Sequence, residues 1–110
     1  IEACQEANIQ FVGPSPATLK LLGDKSQARK LAQAHAVPIL PGTNAATSLV
    51  EAQQFFESLP SGAQMMIKSL AGGGGRGRGV VTQATEIPSI YTRCQKEAVK
   101  SLGKSALYVE

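Results

Sequence analysis

Lys68 and the glycine-rich run that follows it hold the most chemical promise in the sequence. The run reads Lys68-Ser69-Leu70-Ala71-Gly72-Gly73-Gly74-Gly75-Arg76-Gly77-Arg78-Gly79. Four consecutive glycines contribute nothing to hydrophobic packing and cost chain entropy on ordering. They do let the backbone approach a ligand closely, so that successive N–H groups converge on phosphate oxygens. Lys68 would then meet the same phosphates as a point charge. Arg76 would add a forked donor. The alternative is a flexible linker or a long hairpin turn, although linkers are normally Gly/Ser without a patterned pair of arginines.

Two familiar phosphate motifs do not describe this run. In a Walker A loop the lysine follows the glycines, with Ser or Thr after it; here Lys68 precedes them. A dinucleotide fingerprint must open a helix, whereas the residues after Gly79, Val80-Val81-Thr82, read as a strand. Lys25, in the Asp24-Lys25 pair, is a second cation of interest, and taken singly it reads as the start of a solvated helix. His35 is the sole histidine, which excludes a histidine-based metal cluster and suits a helix C-terminus facing the dipole.

Composition narrows the classes. The chain has 110 residues, enough for one domain. Beginning at Ile1, it reads as a segment of something longer. With 43% hydrophobic and 17% charged residues it is globular in composition. Aromatics make up 5%, with no Trp, which argues against a base-stacking nucleic-acid platform. The formal charge of +3 fits either a mildly basic surface or a site for an anion such as a polyphosphate. No apolar run reaches the ~18 residues of a membrane span. Cys4 and Cys94 are far apart and lack C-x-x-C partners. They read as free thiols of a reducing compartment, cytoplasmic or mitochondrial.

The elements that must position these residues follow from caps and periodicity. Residues 1–8 read as a helix and 9–12 as a short strand closed by Gly13-Pro14. Ser15-Pro16 opens a helix that runs to Gly23. Asp24 caps the next one, with Gln27 placed to reach back. That helix ends near His35-Ala36, because the residue before Pro38 avoids the helical region. After a turn-rich connection, Ser48 and Glu51 form a capping box for a helix bearing Leu49, Ala52, Phe56 and Leu59. Residues 64–69 and 80–82 read as paired strands around the glycine run. Thr85 opens a long helix that Gly103 ends, and 106–110 is a last strand. The fold class is α+β, with a small antiparallel sheet backed by helices. The natural division lies in the Pro/Gly-rich connection around residues 38–44.

Taken together, three segments resemble the biotin carboxylase branch of the ATP-grasp superfamily. They are Phe11-Val12-Gly13-Pro14 with Leu22-Gly23-Asp24-Lys25; Val37-Pro38 with Pro41-Gly42; and Met66-Ile67-Lys68 with the loop from Gly72 to Arg76, followed well downstream by Tyr108-Val109-Glu110. The resemblance covers the whole chain and a minor part of a complete carboxylase subunit. It implies that residues 1–39 are the end of the N-terminal carboxylase domain with linking helices, and 40–110 the ATP-grasp B (lid) subdomain. It implies that Lys25 and Lys68 contact ATP phosphates. Gly72, Gly73, Gly74 and Gly75, with Arg76, would fold over the phosphate tail. Glu110 would begin the hinge that meets adenine, largely through backbone groups.

The resemblance further implies a parent that carboxylates biotin with ATP and bicarbonate. Its Mg²⁺ ligands would lie outside this sequence. Its partners would be biotin or a biotinylated carrier domain, and an oligomeric parent is compatible. The segment alone would not catalyse the reaction. The competing readings are another ATP-grasp ligase of the carbamoyl-phosphate type, and a non-catalytic nucleotide-binding module. Three departures from the family pattern stand out. Arg78 takes the place of an apolar residue expected near the adenine. Gly79 takes the place of a basic one. Ala36 stands where glycine precedes Val-Pro; if that position is left-handed, alanine should cost about 1–2 kcal/mol.

Overall fold

A computed structural model describes residues 1–71 and 75–110. The helices are α1 (Glu2–Glu6), α2 (Pro16–Gly23), α3 (Lys25–Ala34), α4 (Leu49–Glu57) and α5 (Ile87–Leu102). The strands are β1 (Met65–Ser69), β2 (Arg78–Val81) and β3 (Leu107–Val109). They form one antiparallel sheet in the order β2-β1-β3. The architecture is the expected α+β layer pair, with α5 packed on the sheet.

Alternation along the strands decides what each face does. Met65, Ile67 and Ser69 point into the core from β1, while Met66 and Lys68 lie on the opposite face. Val81 and Leu107 join the core beside Ile87, Cys94 and Ala98 of α5. The register sets Lys68 between Arg78 on one side and Tyr108 on the other. Lys68 therefore stands on the central strand, on the face that α5 does not cover.

Local chemistry fixes most element ends. Ser15 accepts the Thr18 N–H at 3.1 Å, with Pro16 in the first turn. Ser48 and Glu51 form the reciprocal capping box. Gly103 ends α5 at φ 65°. That helix begins at Ile87 rather than Thr85, because Glu86 first accepts the N–H groups of Thr82 and Gln83, and a short 3-10 turn over Ala84–Glu86 intervenes.

The expected strand over residues 9–12 is absent. A strand exists only by pairing, and the sheet among the described residues is complete without this segment. Asn8, at φ 53°, instead turns the chain out of α1, and Val12 is left 92% exposed.

The end of α3 is a Schellman motif built on the wrong residue. The Ala36 N–H donates to Gln33 O at 3.1 Å and the Val37 N–H to Ala32 O at 2.9 Å. His35 is the C-cap. Ala36 takes φ 55°, the left-handed region where a Cβ is crowded. Ala36→Gly is therefore expected to stabilise the protein by about 1 kcal/mol, the relief of left-handed strain less the added freedom of the unfolded glycine. Equilibrium urea unfolding measures it, as a rise in midpoint at constant slope.

Candidate nucleotide-binding site

The first residue of α3 ties the helix to the sheet: the Lys25 N–H donates to Leu70 O at 3.4 Å, just past the end of β1. Asp24 accepts from the N–H groups of Ser26 and Gln27 at 2.9 and 3.2 Å and from the Ser26 hydroxyl at 2.8 Å. The Ser26 hydroxyl, followed by the Gln27 N–H, holds the Asp24 carboxyl below its ordinary range. With the helix start fixed in this way, Lys25 is brought beside Lys68. Its ammonium is pushed below the ordinary lysine value, first by burial and then by the charge of Lys68.

One turn along α3, Arg29 is buried. Its guanidinium donates to Asn44 Oδ1 at 3.1 Å, to Leu40 O at 2.9 Å and to Glu110 Oε2 at 3.3 Å. Glu110 also pairs with Lys68 through its other carboxylate oxygen. The side chains of Arg29 and Glu110 are only 10% and 14% exposed, so this pair is poorly screened. Tyr108 donates to Glu110 Oε2 at 3.4 Å, and burial, with Glu110 second, pushes its hydroxyl up to about 12. Three cations, Lys25, Arg29 and Lys68, thus gather around a single carboxylate.

Beside this cluster lies a concavity of about 370 Å³, lined by Leu40, Pro41, Met66 and Val80 together with Lys68 and Glu110. An apolar slot with a few converging polar groups is the usual form of a small-molecule site. A slot of this size accommodates a planar base, with the excess positive charge set to receive an anionic tail.

The structure brings Lys25, Lys68 and Glu110 together. Gly75 and Arg76 border a different concavity, of about 650 Å³, with Arg78, Arg93, Glu97 and Lys100. Gly72, Gly73 and Gly74 lie outside the described residues. The backbone groups of Glu110, expected to meet adenine, are both engaged in the sheet. Its N–H and C=O pair with Met66, leaving the carboxylate as the counter-ion. Arg78 does not border the apolar slot; a Cβ on Gly75 would lie 3.3 Å from its Nη2. Gly79 faces the helix, where a Cβ would come within 2.4 Å of Ile90 Cγ2 and 2.8 Å of Arg93 Nη2. The space a basic side chain would need there is already filled.

Arg29 was not singled out from the sequence. The available signal was its i, i+4 spacing from Lys25, which puts both on one helix face. Among the described residues, no group of three or more His, Cys, Asp or Glu side chains could hold a metal ion. The one carboxylate of the cluster is already engaged by two cations. These residues therefore do not furnish a magnesium site. No helix among the described residues is long and apolar enough to cross a membrane.

Residues 24–110 match the family described as the carbamoyl-phosphate synthase L chain, ATP binding domain. The chain is 44% identical over 110 residues to the mitochondrial pyruvate carboxylase of Homo sapiens, a match covering 99% of this chain and 9% of that protein. A biotin carboxylase from Campylobacter jejuni, solved as a β-γ-ATP complex, superposes with a TM-score of 0.90 at 34% identity, over 99% of this chain and 24% of that one. The biotin carboxylase domain of the Hydrogenobacter thermophilus 2-oxoglutarate carboxylase superposes with a TM-score of 0.87 at 31% identity. It likewise covers 99% of this chain and 24% of that one, and was solved as a dimer with MgADP, ADP and bicarbonate. The chain thus spans a quarter or less of the relatives it matches.

Proposed function

Since the chain belongs to the family of the carbamoyl-phosphate synthase L chain ATP-binding domain, we propose that it is the ATP-binding lid portion of a larger biotin carboxylase, one that carboxylates biotin with ATP and bicarbonate. The observation that carries this reading is the convergence of Lys25, Arg29 and Lys68 on Glu110 beside an apolar slot. The carbamoyl-phosphate branch shares the family name, but the relatives matched over 99% of the chain are carboxylases.

In this reading, residues 1–39 end the N-terminal carboxylase domain and 40–110 form the lid subdomain. Adenine takes the slot lined by Met66 and Val80. Lys25 and Lys68 neutralise the phosphate charge, and Arg29 holds Glu110 so that Lys68 keeps one orientation. Positioning and charge neutralisation are the protein's main contributions to phosphoryl transfer. Gly75 and Arg76 meet the phosphate tail. Mg²⁺ would neutralise phosphate charge when bound, and the groups that hold it belong to the rest of the parent, as do those that handle bicarbonate and biotin. A dimer, a biotinylated carrier partner and a reducing compartment fit the same parent.

The test is ADP release by the intact parent protein, with and without bicarbonate and free biotin. Turnover that requires bicarbonate and rises with biotin is expected. ATP turnover indifferent to both would point to another ATP-grasp ligase. No turnover by a folded parent would favour a non-catalytic nucleotide-binding module.

A pH signature follows from Lys25. Its folded pKa is lowered, so the folded chain binds this proton less tightly than the unfolded one. The stability associated with Lys25 therefore rises as pH climbs from the lowered value towards the ordinary lysine range. Bound polyphosphate favours the charged form, so ATP binding should take up a proton, and affinity should fall as pH rises through the lowered pKa. Calorimetric titrations in buffers of different ionisation enthalpy read the uptake directly, and Lys25→Met is expected to abolish it.

A further inference from the structure

Gly77, at the C-terminal foot of the glycine run, is held from two sides. Its carbonyl accepts the Ser69 N–H at 2.8 Å, which ties it to β1. Its own N–H donates to Glu97 Oε2 at 3.0 Å, which ties it to α5. The residue is buried at φ 65°, and a Cβ there would lie 3.2 Å from Ser69 Cβ and 3.5 Å from both Ala98 Cβ and Cys94 O. Only glycine lets the chain pass this closely between strand and helix.

The second oxygen of Glu97 is also engaged. Arg93, one turn earlier on α5, donates to Glu97 Oε1 at 2.9 Å, and its other Nη reaches Arg78 O at 3.5 Å. Arg93 and then the Gly77 N–H hold the Glu97 carboxyl below its ordinary range, so it is ionised at neutral pH. Among the described residues, Glu97 pairs with Arg93 and not with Arg76 or Arg78. Those two guanidinium groups border the same concavity and make no ion pair among the described residues.

We propose that Glu97, oriented by Arg93, is a positioning residue for the polyphosphate site: it fixes the Gly77 amide, and through it the place from which Arg76 meets the nucleotide. The inference rests on the nucleotide reading above and adds to it a residue on α5, outside both the glycine run and the strand lysine. Glu97 touches no substrate. It acts by keeping the backbone on the C-terminal side of Arg76 in one position and by leaving that guanidinium unpaired.

The test uses the intact parent with Glu97→Ala and Glu97→Gln, and two measurements. The first is amide hydrogen exchange over residues 75–79 without nucleotide. The second is the KM for ATP beside kcat. Losing a charge-assisted hydrogen bond should raise exchange of this segment and KM for ATP by about tenfold each. A group that places a binding cation, without acting in the chemical step, should leave kcat within about twofold. Glu97→Gln keeps an oxygen for the Gly77 N–H but loses the charge and the Arg93 pair, and should recover part of both effects. A purely structural role predicts a lowered Tm and faster exchange with KM unchanged, and that result would overturn the proposal. So would unchanged exchange in Glu97→Ala. If the unaltered parent neither binds nor turns over ATP, the nucleotide reading falls and this inference with it. Normal turnover in the parent together with an unchanged KM in Glu97→Ala overturns only the role of Glu97.

Discussion

Lys68→Ala is expected to reduce kcat/KM for bicarbonate-dependent ADP release by the intact parent about 100-fold or more, the usual cost of deleting one preorganised group that meets developing charge. Lys68 stands on the central strand with a side chain only 28% exposed, so its ammonium is aimed by the sheet. Its loss also lowers the local positive charge, since of the three cations beside Glu110 only Lys25 and Arg29 remain. Glu110 would keep Arg29 on one oxygen but lose the partner of the other, which leaves that oxygen uncompensated beside an incoming polyanion. Lys68→Met keeps the apolar stem and removes only the charge, so it reads both charge effects without the packing loss of Lys68→Ala. Lys68→Arg should recover part of the activity, because a planar fork does not reproduce a compact point charge. A kcat/KM within about threefold of the unaltered parent in Lys68→Met would remove Lys68 from the site.

The second large effect is on stability. Arg29→Ala is expected to cost about 3 kcal/mol, because removing one member of a buried ion pair leaves the other charge and its polar neighbours uncompensated. Three groups lose their donor at once: Asn44 Oδ1, Leu40 O and the Glu110 carboxylate. Lys68 still serves Glu110, which places the expected cost near the lower end for such pairs. Arg29→Lys should not rescue it, since one ammonium cannot reach three acceptors that a rigid fork spans. Chemical denaturation supplies the number, and a cycle with Glu110→Gln isolates the pairwise part. A loss below about 1 kcal/mol would mean that solvent reaches the pair freely, as it does at exposed ion pairs.

Much of the fold was legible because it is written in short-range chemistry. Ser15-Pro16, Asp24 and Ser48 with Glu51 each satisfy orphan amides within a few residues, so the helix starts they mark can be read without knowing the rest. Gly103 marks a helix end for the same reason. Ala36 shows the rule from the other side: the motif forms although glycine is missing, with both of its hydrogen bonds made. Residues 9–12 misled because β-propensity describes a side chain's fit to a sheet, and a sheet needs a neighbour.

Residue types and near neighbours are enough to say which side chains suit phosphate, that Lys68 lies near the end of a strand ahead of a glycine run, and that Lys25 opens a capped helix. Those facts depend on residue type and on neighbours within about one helical turn. Long-range packing is what brings Arg29 and Lys68 onto Glu110 with Lys25 beside them, sets Glu97 at the foot of the loop, and turns Gly79 towards a filled space. Arg29 and Glu110 are separated by 81 positions. Which buried charges become partners over such a distance depends on strand register and helix docking. No local pattern encodes the desolvation that makes those pairings matter.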